Sequence, residues 1–513
     1  MLFNSYEFLI FLAATFGAFV LARRLGRRAA AITLIVASLF FYSYWNPAYL
    51  PLLVASVLVD YYAGRLIARY RRRWLLACVI AVNLLVLGYF KYYRFLVINI
   101  AALFHADLAV PDIILPLGIS FYIFQQISYQ VDVYRGRVVS HSLINYASLV
   151  CFFPHLIAGP IVLQRDALNQ FAGLRFSYGL RNFCLGMTIF AIGLFKKVVV
   201  ADNIAAFATS AFDAADAGLT ISPIEAWCGA LAYTFQLYFD FSGYSDMAIG
   251  LGRLFGIRLP LNFFSPYKAT SIVEFWRRWH MTLSGFLRDY LYLPLGGSRR
   301  GPARTLANVV VVMGLGGLWH GAGWNFPLWG LLHGVYLVTN HCWLMLAARS
   351  PVLAAMRRTI GWRIVAWTTT FLAVVCGWVL FRAHSLAGAG AMLDAMSVWR
   401  HQLLLPDIYL ARLGVVGRFL ADRGVGFVDV GTIGAFSGFK EVAALAAALV
   451  FVLVLPNTAE LVADRPVGWL PSGARRVAWG WTLDWRWAAF AALLLFLALG
   501  SIDRPSEFLY FQF

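Results

Sequence analysis

Four predominantly apolar runs open the chain: Phe8 to Ala22, Ala29 to Trp45, Tyr49 to Ile67 and Trp74 to Phe90. Each approaches the roughly 20 residues that a helix needs to cross about 30 Å of hydrocarbon. Of the 513 residues 61% are hydrophobic and 13% charged, too few polar side chains to coat a soluble surface. A membrane β-barrel would instead alternate apolar and polar residues over segments of about 10, because alternate side chains face lipid and lumen. That pattern is missing, so the expectation is an all-α polytopic membrane protein. Further spans are readable near 113–134, 181–205, 224–252, 305–320, 324–347, 364–381, 441–456 and 487–501. The total comes to roughly 11 to 14 membrane-embedded helices, some not fully crossing, in one membrane domain with no internal repeat.

The net charge of +18 does not point to nucleic acid, because the basic residues sit in short clusters at the ends of apolar runs. Arg23, Arg24, Arg27 and Arg28 follow the first run and Arg69, Arg71, Arg72 and Arg73 the third, while the Asn46-Pro47 turn is uncharged. Positive charge marks the cytoplasmic side, which puts the amino terminus outside. Charges that follow the first apolar run, with no cleavage site, argue for a retained helix rather than a signal peptide. Arg475, Arg476 and Arg486 precede the final run, so residues 508–513 are also expected at the outer face.

Six cysteines (Cys78, Cys151, Cys184, Cys228, Cys342 and Cys376) are scattered without Cys-x-x-Cys spacing and read as buried, reduced thiols. Pro154 and Pro160 fall inside an apolar segment, where each removes a backbone donor. Broken or re-entrant backbone shielded from lipid is expected there. A stretch near 403–440, with Asp407, Arg412, Arg418, Asp422 and Arg423, reads as extramembrane.

Polar groups concentrate between Tyr233 and His333, where lipid makes them costly. Gln236, Asp240 and Tyr244 share one helical face, with Asp246 close behind. They read as a polar seam between helices, as the wall of a substrate cavity, or as both at once. Phe275-Trp276-Arg277-Arg278-Trp279-His280 mixes aromatic and basic residues as an interfacial helix does. Arg277 and Arg278 could hold donor phosphates by charge-assisted bonds, although topology alone would also place arginines there.

Gly314-Leu315-Gly316-Gly317-Leu318-Trp319-His320-Gly321-Ala322-Gly323-Trp324-Asn325 follows an apolar run from about Asn308. If that run is helical, His320 lies roughly 18 Å along it, near or past mid-bilayer. A lone buried histidine is commonly structural. Here flanking glycines and tryptophans, with His280 and His333 elsewhere in the segment, favour a reactive site. A neutral imidazole could take the proton of an attacking hydroxyl and return it to a leaving thiolate. No histidine or cysteine spacing supports a bound metal, and no Gly-x-Ser-x-Gly supports a serine nucleophile.

These residues resemble the membrane-bound O-acyltransferase superfamily, in its branch that acetylates alginate and other bacterial surface polysaccharides. The resemblance covers nearly the whole chain. It is carried by Leu115-Pro116-Leu117-Gly118-Ile119-Ser120-Phe121-Tyr122, Ala158-Gly159-Pro160, Asp240-Phe241-Ser242-Gly243-Tyr244-Ser245-Asp246, Phe275 to His280 and Leu318-Trp319-His320-Gly321, in that order. It implies a ring of helices around a catalytic tunnel, with His320 at the catalytic position and His280 at the second. Trp319, Asn325, Asp240, Tyr244 and Asp246 then become candidate tunnel residues. The segment Phe508-Leu509-Tyr510-Phe511-Gln512-Phe513 resembles an aromatic tail of this branch whose tyrosine is suspected of relaying the acyl group. On physical grounds it reads first as an interfacial anchor.

The resulting expectation is a bacterial inner-membrane O-acetyltransferase with both termini periplasmic. Acetyl-CoA would be its donor substrate, with no bound cofactor. An outer-face acetyltransferase partner would pass the group to an exopolysaccharide such as alginate; cellulose or peptidoglycan are alternative acceptors. Two rival readings remain: a transporter whose Asp240, Asp246 and histidines line a substrate path, and a non-catalytic scaffold of an export complex.

Overall fold

A computed structural model describes residues 1–107, 110–138, 142–173, 179–397, 403–428, 439–462, 477, 479–502 and 509. The fold is mostly helical, and its helix boundaries follow local chemistry. Ser5 accepts a hydrogen bond from the Phe8 amide to open Tyr6–Leu25. Gly26, at φ +125°, separates that helix from Arg27–Ser43 in a conformation that L side chains rarely adopt. Among the described residues, six helical segments are long and apolar enough to cross a membrane: Tyr6–Leu25, Pro47–Tyr70, Arg73–Phe104, Leu180–Asp216, Asn325–Arg349 and Ile360–Arg382. Other apolar helices are shorter, such as Phe439–Val454 and Trp485–Leu499.

The centre of the molecule is Pro223–Leu254, opened by a reciprocal cap in which Ser222 and Glu225 satisfy each other's backbone amides. Every residue from Ala232 to Phe255 is buried. Leu180–Leu194 lies against it through two glycine pairs. A β-carbon on Gly243 would stand 2.7 Å from the Gly193 carbonyl oxygen, and one on Gly186 2.7 Å from that of Gly250. Without a hydrophobic drive between helices in lipid, such backbone proximity supplies the packing contact.

The proline-containing segment is broken as its composition requires. Phe153–Leu156 is a single helical turn, residues 157–163 are irregular, and Cys151 to Gln164 are all buried. Side chains supply partners that a helix would otherwise provide: Phe153 N donates to Ser38 Oγ (3.0 Å) and Ile161 N to Thr282 Oγ1 (3.0 Å).

The extramembrane stretch departs from the all-α expectation. Strands Leu404–Pro406 and Gly426–Val428 pair in parallel, Leu404 opposite Gly426, and helices Asp407–Leu413 and Val415–Asp422 make the crossover between them. Three residues per strand are too few to show a two-residue period in sequence. The cysteines are free thiols, with Cys151 and Cys228 buried and Cys78 exposed on a helix face. Arg475 and Arg476 lie outside the described residues.

Candidate active site

The helix Pro302–His320 ends on the histidine, and the chain turns through Gly321 to Trp324 into Asn325–Arg349. The two helices run back against each other at glycines. A β-carbon on Gly330 would stand 3.0 Å from Gly317 Cα, and one on Gly334 3.1 Å from Val310 Cα. This tight return buries His320 among aromatic rings. Its imidazole lies 4.9 Å from the Trp319 ring, 5.3 Å from Trp329 and 5.2 Å from Phe381, all three edge-on.

His280 comes from a different part of the chain, the corner between Ile272–Trp276 and Met281–Leu287. Its backbone is left-handed at φ +41°, and Asn262 holds the corner by accepting from Met281 N at 2.9 Å. The ring packs edge-on to Phe241 at 4.9 Å and reaches within 6.4 Å of the His320 ring, centre to centre. Trp319 sits 6.2 Å from His280 and is itself stacked on Phe124 at 5.1 Å.

Two cavities meet this aromatic nest. A cavity of about 260 Å³ is lined by Trp45, Lys91, Leu117, Ser120, Trp319 and His320. A larger one of about 700 Å³ is lined by Arg165, Arg277, Thr282, Arg288 and His341, with Met281 beside His280. Along Pro302–His320, Val309, Val312 and Met313 face the larger cavity while Trp319 and His320 face the smaller. The cavities therefore occupy successive levels, about 10 Å apart along that helix; His320 lines the smaller, and His280 directly precedes Met281 in the wall of the larger.

The two candidate donor arginines differ. Arg277 lines the large cavity, whereas Arg278 is paired with Glu274 at 2.7 Å. Arg165 and Arg288 share Asp289 at 2.6 and 2.7 Å. Asn325 donates its side-chain amide to the Ala383 carbonyl and so ties the histidine's return turn to the Ile360–Arg382 helix.

Asp240, Tyr244 and Asp246 line neither of these two cavities. Lys197 lies between Asp240 (2.8 Å) and Asp202 (2.6 Å), and Lys196 pairs with Asp246 at 2.6 Å while also donating to Thr458. Tyr244 stacks on Phe3 at 4.6 Å. Their contacts make a seam between helices, in which adjacent lysines on the π-helical turn Phe195–Ala201 neutralise carboxylates that lipid would not tolerate alone, while Asp246 also lines a small cavity of about 20 Å³ with Arg253 and Arg258. His333 accepts from Trp276 Nε1 at 3.2 Å and packs against Trp329; it lines neither cavity but sits behind Trp276 in the wall of the larger.

Tyr510 lies outside the described residues. Its neighbour Leu509 is buried, and its amide donates to Asp240 Oδ2 at 3.3 Å. Lys196, Lys197 and Lys91 were not singled out in the sequence. The available signal was lysine inside an apolar run, as with Lys91 one residue past the run ending at Phe90.

The family model described as MBOAT, the membrane-bound O-acyltransferase family, matches residues 39–380. The peptidoglycan O-acetyltransferase of Helicobacter pylori is 45% identical over 71% of this chain and 73% of its own. The probable alginate O-acetylase AlgI of Pseudomonas syringae pv. tomato is 38% identical over the full length of both chains. The teichoic acid D-alanyltransferase of Streptococcus thermophilus is 29% identical over 44% of this chain and 57% of its own.

Proposed function

This chain belongs to the membrane-bound O-acyltransferase family, and from that membership we propose that it carries an acetyl group from cytoplasmic acetyl-CoA across the inner membrane toward an exported polysaccharide. The observation that carries the reading is His320, buried at the wall of one cavity, with a second, arginine-lined cavity about two turns back along the same helix. The large cavity, with Arg165, Arg277 and Arg288, takes the cytoplasmic side on charge grounds, and the small one beside Trp45 the outer side. Both termini then face the periplasm. Arg277 is the better placed donor contact, since Arg278 already holds Glu274.

In this scheme an acceptor hydroxyl attacks the thioester carbonyl carbon while His320 takes its proton. The C–O bond forms, the C–S bond breaks, and His320 returns the proton to the departing coenzyme A thiolate. His280 contributes the second imidazole beside that path. The acceptor hydroxyl is either that of Tyr510, which then passes the group to an outer-face transferase, or that of the final acceptor. A phenol becomes a nucleophile only with a base beside it, which makes the Tyr510 route dependent on His320.

The full-length likeness to a probable alginate O-acetylase favours alginate as acceptor. A second reading, peptidoglycan, rests on the higher identity to the Helicobacter pylori protein over a shorter stretch. Purified protein given radiolabelled acetyl-CoA, with the outer-face partner added, tests the scheme. His320→Ala is expected to lower coenzyme A release by about 10²- to 10⁴-fold, and Tyr510→Phe to remove any label on the protein. Unchanged release in a folded His320→Ala protein would return the transporter and scaffold readings to the front.

A further inference from the structure

The Arg73–Phe104 helix is interrupted by a π-helical turn, Gly88–Tyr92, whose last two residues both point at the catalytic helix. Lys91 Nζ donates to the carbonyl oxygens of Trp319 (2.5 Å) and His320 (2.9 Å). Tyr92 Oη donates to that of Leu318 at 2.6 Å. Three successive carbonyls at the end of Pro302–His320 are thus satisfied from one neighbouring helix. An α-helix leaves its last carbonyls without intrahelical partners, and in a dry interior they need donors from elsewhere. Two helical turns farther on, the same helix fixes the return loop, where Trp324 Nε1 donates to Asn99 Oδ1 at 2.9 Å.

Lys91 is more than a cap. It lines the 260 Å³ cavity together with His320, and its nitrogen lies 5.8 Å from the centre of the Trp319 ring. Among the described residues no carboxylate stands within ion-pair distance of it. The helix terminus, with its partial negative charge, and the indole face both favour a cation in that place. An intramembrane lysine without a counter-ion at a cavity wall is costly, and the cost is explicable if the group serves the site.

We propose that Lys91 is a positioning residue for His320: its two hydrogen bonds fix the final turn of Pro302–His320 so that the imidazole stays aimed into the cavity it shares with Lys91. The inference rests on the reading of His320 as the proton-transfer group. Its role is geometric: Lys91 exchanges no proton and forms no covalent bond in the transfer. The π-helical turn that carries Lys91 is of a kind frequent at functional sites.

The test compares wild type, Lys91→Met, Lys91→Arg, Tyr92→Phe and His320→Ala as full-length proteins, reading coenzyme A release against acetyl-CoA concentration. Misplacement of a reacting group by about 1 Å can cost on the order of 100-fold in rate. Lys91→Met is therefore expected to lower kcat by about 10- to 100-fold, with KM for acetyl-CoA nearly unchanged because the donor cavity does not include Lys91. Lys91→Arg, which keeps a cationic multi-donor head, is expected to recover most of kcat, and Tyr92→Phe to lose only a few-fold. If Lys91→Met fails to fold, Lys91→Arg against Lys91→Gln decides the same question. Wild-type kcat in a folded Lys91→Met or Lys91→Gln protein, with His320→Ala inactive, overturns the role of Lys91 alone. Full activity in His320→Ala overturns the underlying chemistry instead.

Discussion

At the scale of single residues the site is defined as much by backbone as by side chain. His280 holds φ +41°, a region that costs a non-glycine residue about 1–3 kcal/mol but that asparagine enters readily. His280→Asn is accordingly expected to melt close to wild type in detergent, whereas His280→Val should lose about 1–3 kcal/mol, because a β-branched residue resists that conformation. The same pair separates chemistry from folding: turnover lost in His280→Asn at an unchanged melting temperature assigns the imidazole a part in the reaction. His320 stood out in sequence through its flanking glycines and tryptophans at the end of an apolar run, although a lone buried histidine is commonly structural. Its ring contacts were not, since Trp329 and Phe381 arrive from other helices and no spacing in the chain announces them.

Two interactions between helices lend themselves to measurement. Asp246 and Lys196 join Pro223–Leu254 to the Phe195–Ala201 turn, with both side chains almost wholly buried. Removing one partner strands a charge, so Asp246→Ala is expected to cost about 3–5 kcal/mol in thermal unfolding, and the double change Asp246→Leu, Lys196→Met should restore much of it. A double variant no better than the single one would show that the pair is not the stabilising unit. At the other contact, Gly330→Leu would drive a side chain into Gly317 and the Met313 carbonyl, wedging apart the two helices that set His320. Coenzyme A release is expected to fall on the order of 100-fold from such a displacement, even where the protein remains monodisperse. Gly317 and Gly321 stood in the glycine-rich stretch visible in sequence, but Gly330, which meets Gly317 from the returning helix, did not stand out. The counter-ions of Asp240 and Asp246, Lys197 and Lys196, lie on a separate helix and could be matched to them only in three dimensions.

For the molecule as a whole, the apolar runs and the clustered arginines made the membrane class and the general placement of helices readable. The small parallel strand pair was not, because three-residue strands carry no periodicity. The placement of the two cavities makes a topological prediction. In cells, a membrane-impermeant maleimide should label Trp45→Cys from the outer face of spheroplasts and Arg288→Cys only in inverted vesicles. Labelling of both positions from one side would refute the crossing path.

The bond between Leu509 and Asp240 joins residues 269 positions apart, and synthesis runs in one direction. Asp240 must enter the bilayer long before the amide that reaches its second oxygen has been made, with Lys197 as the cation beside it in the meantime. The centre of this protein is therefore finished late in time although it is deepest in space. A ribosome that stops short of residue 509 releases a chain whose core still holds an open acceptor. Surveillance in the membrane could distinguish such a chain from a completed one by its looseness, with no need to read its length.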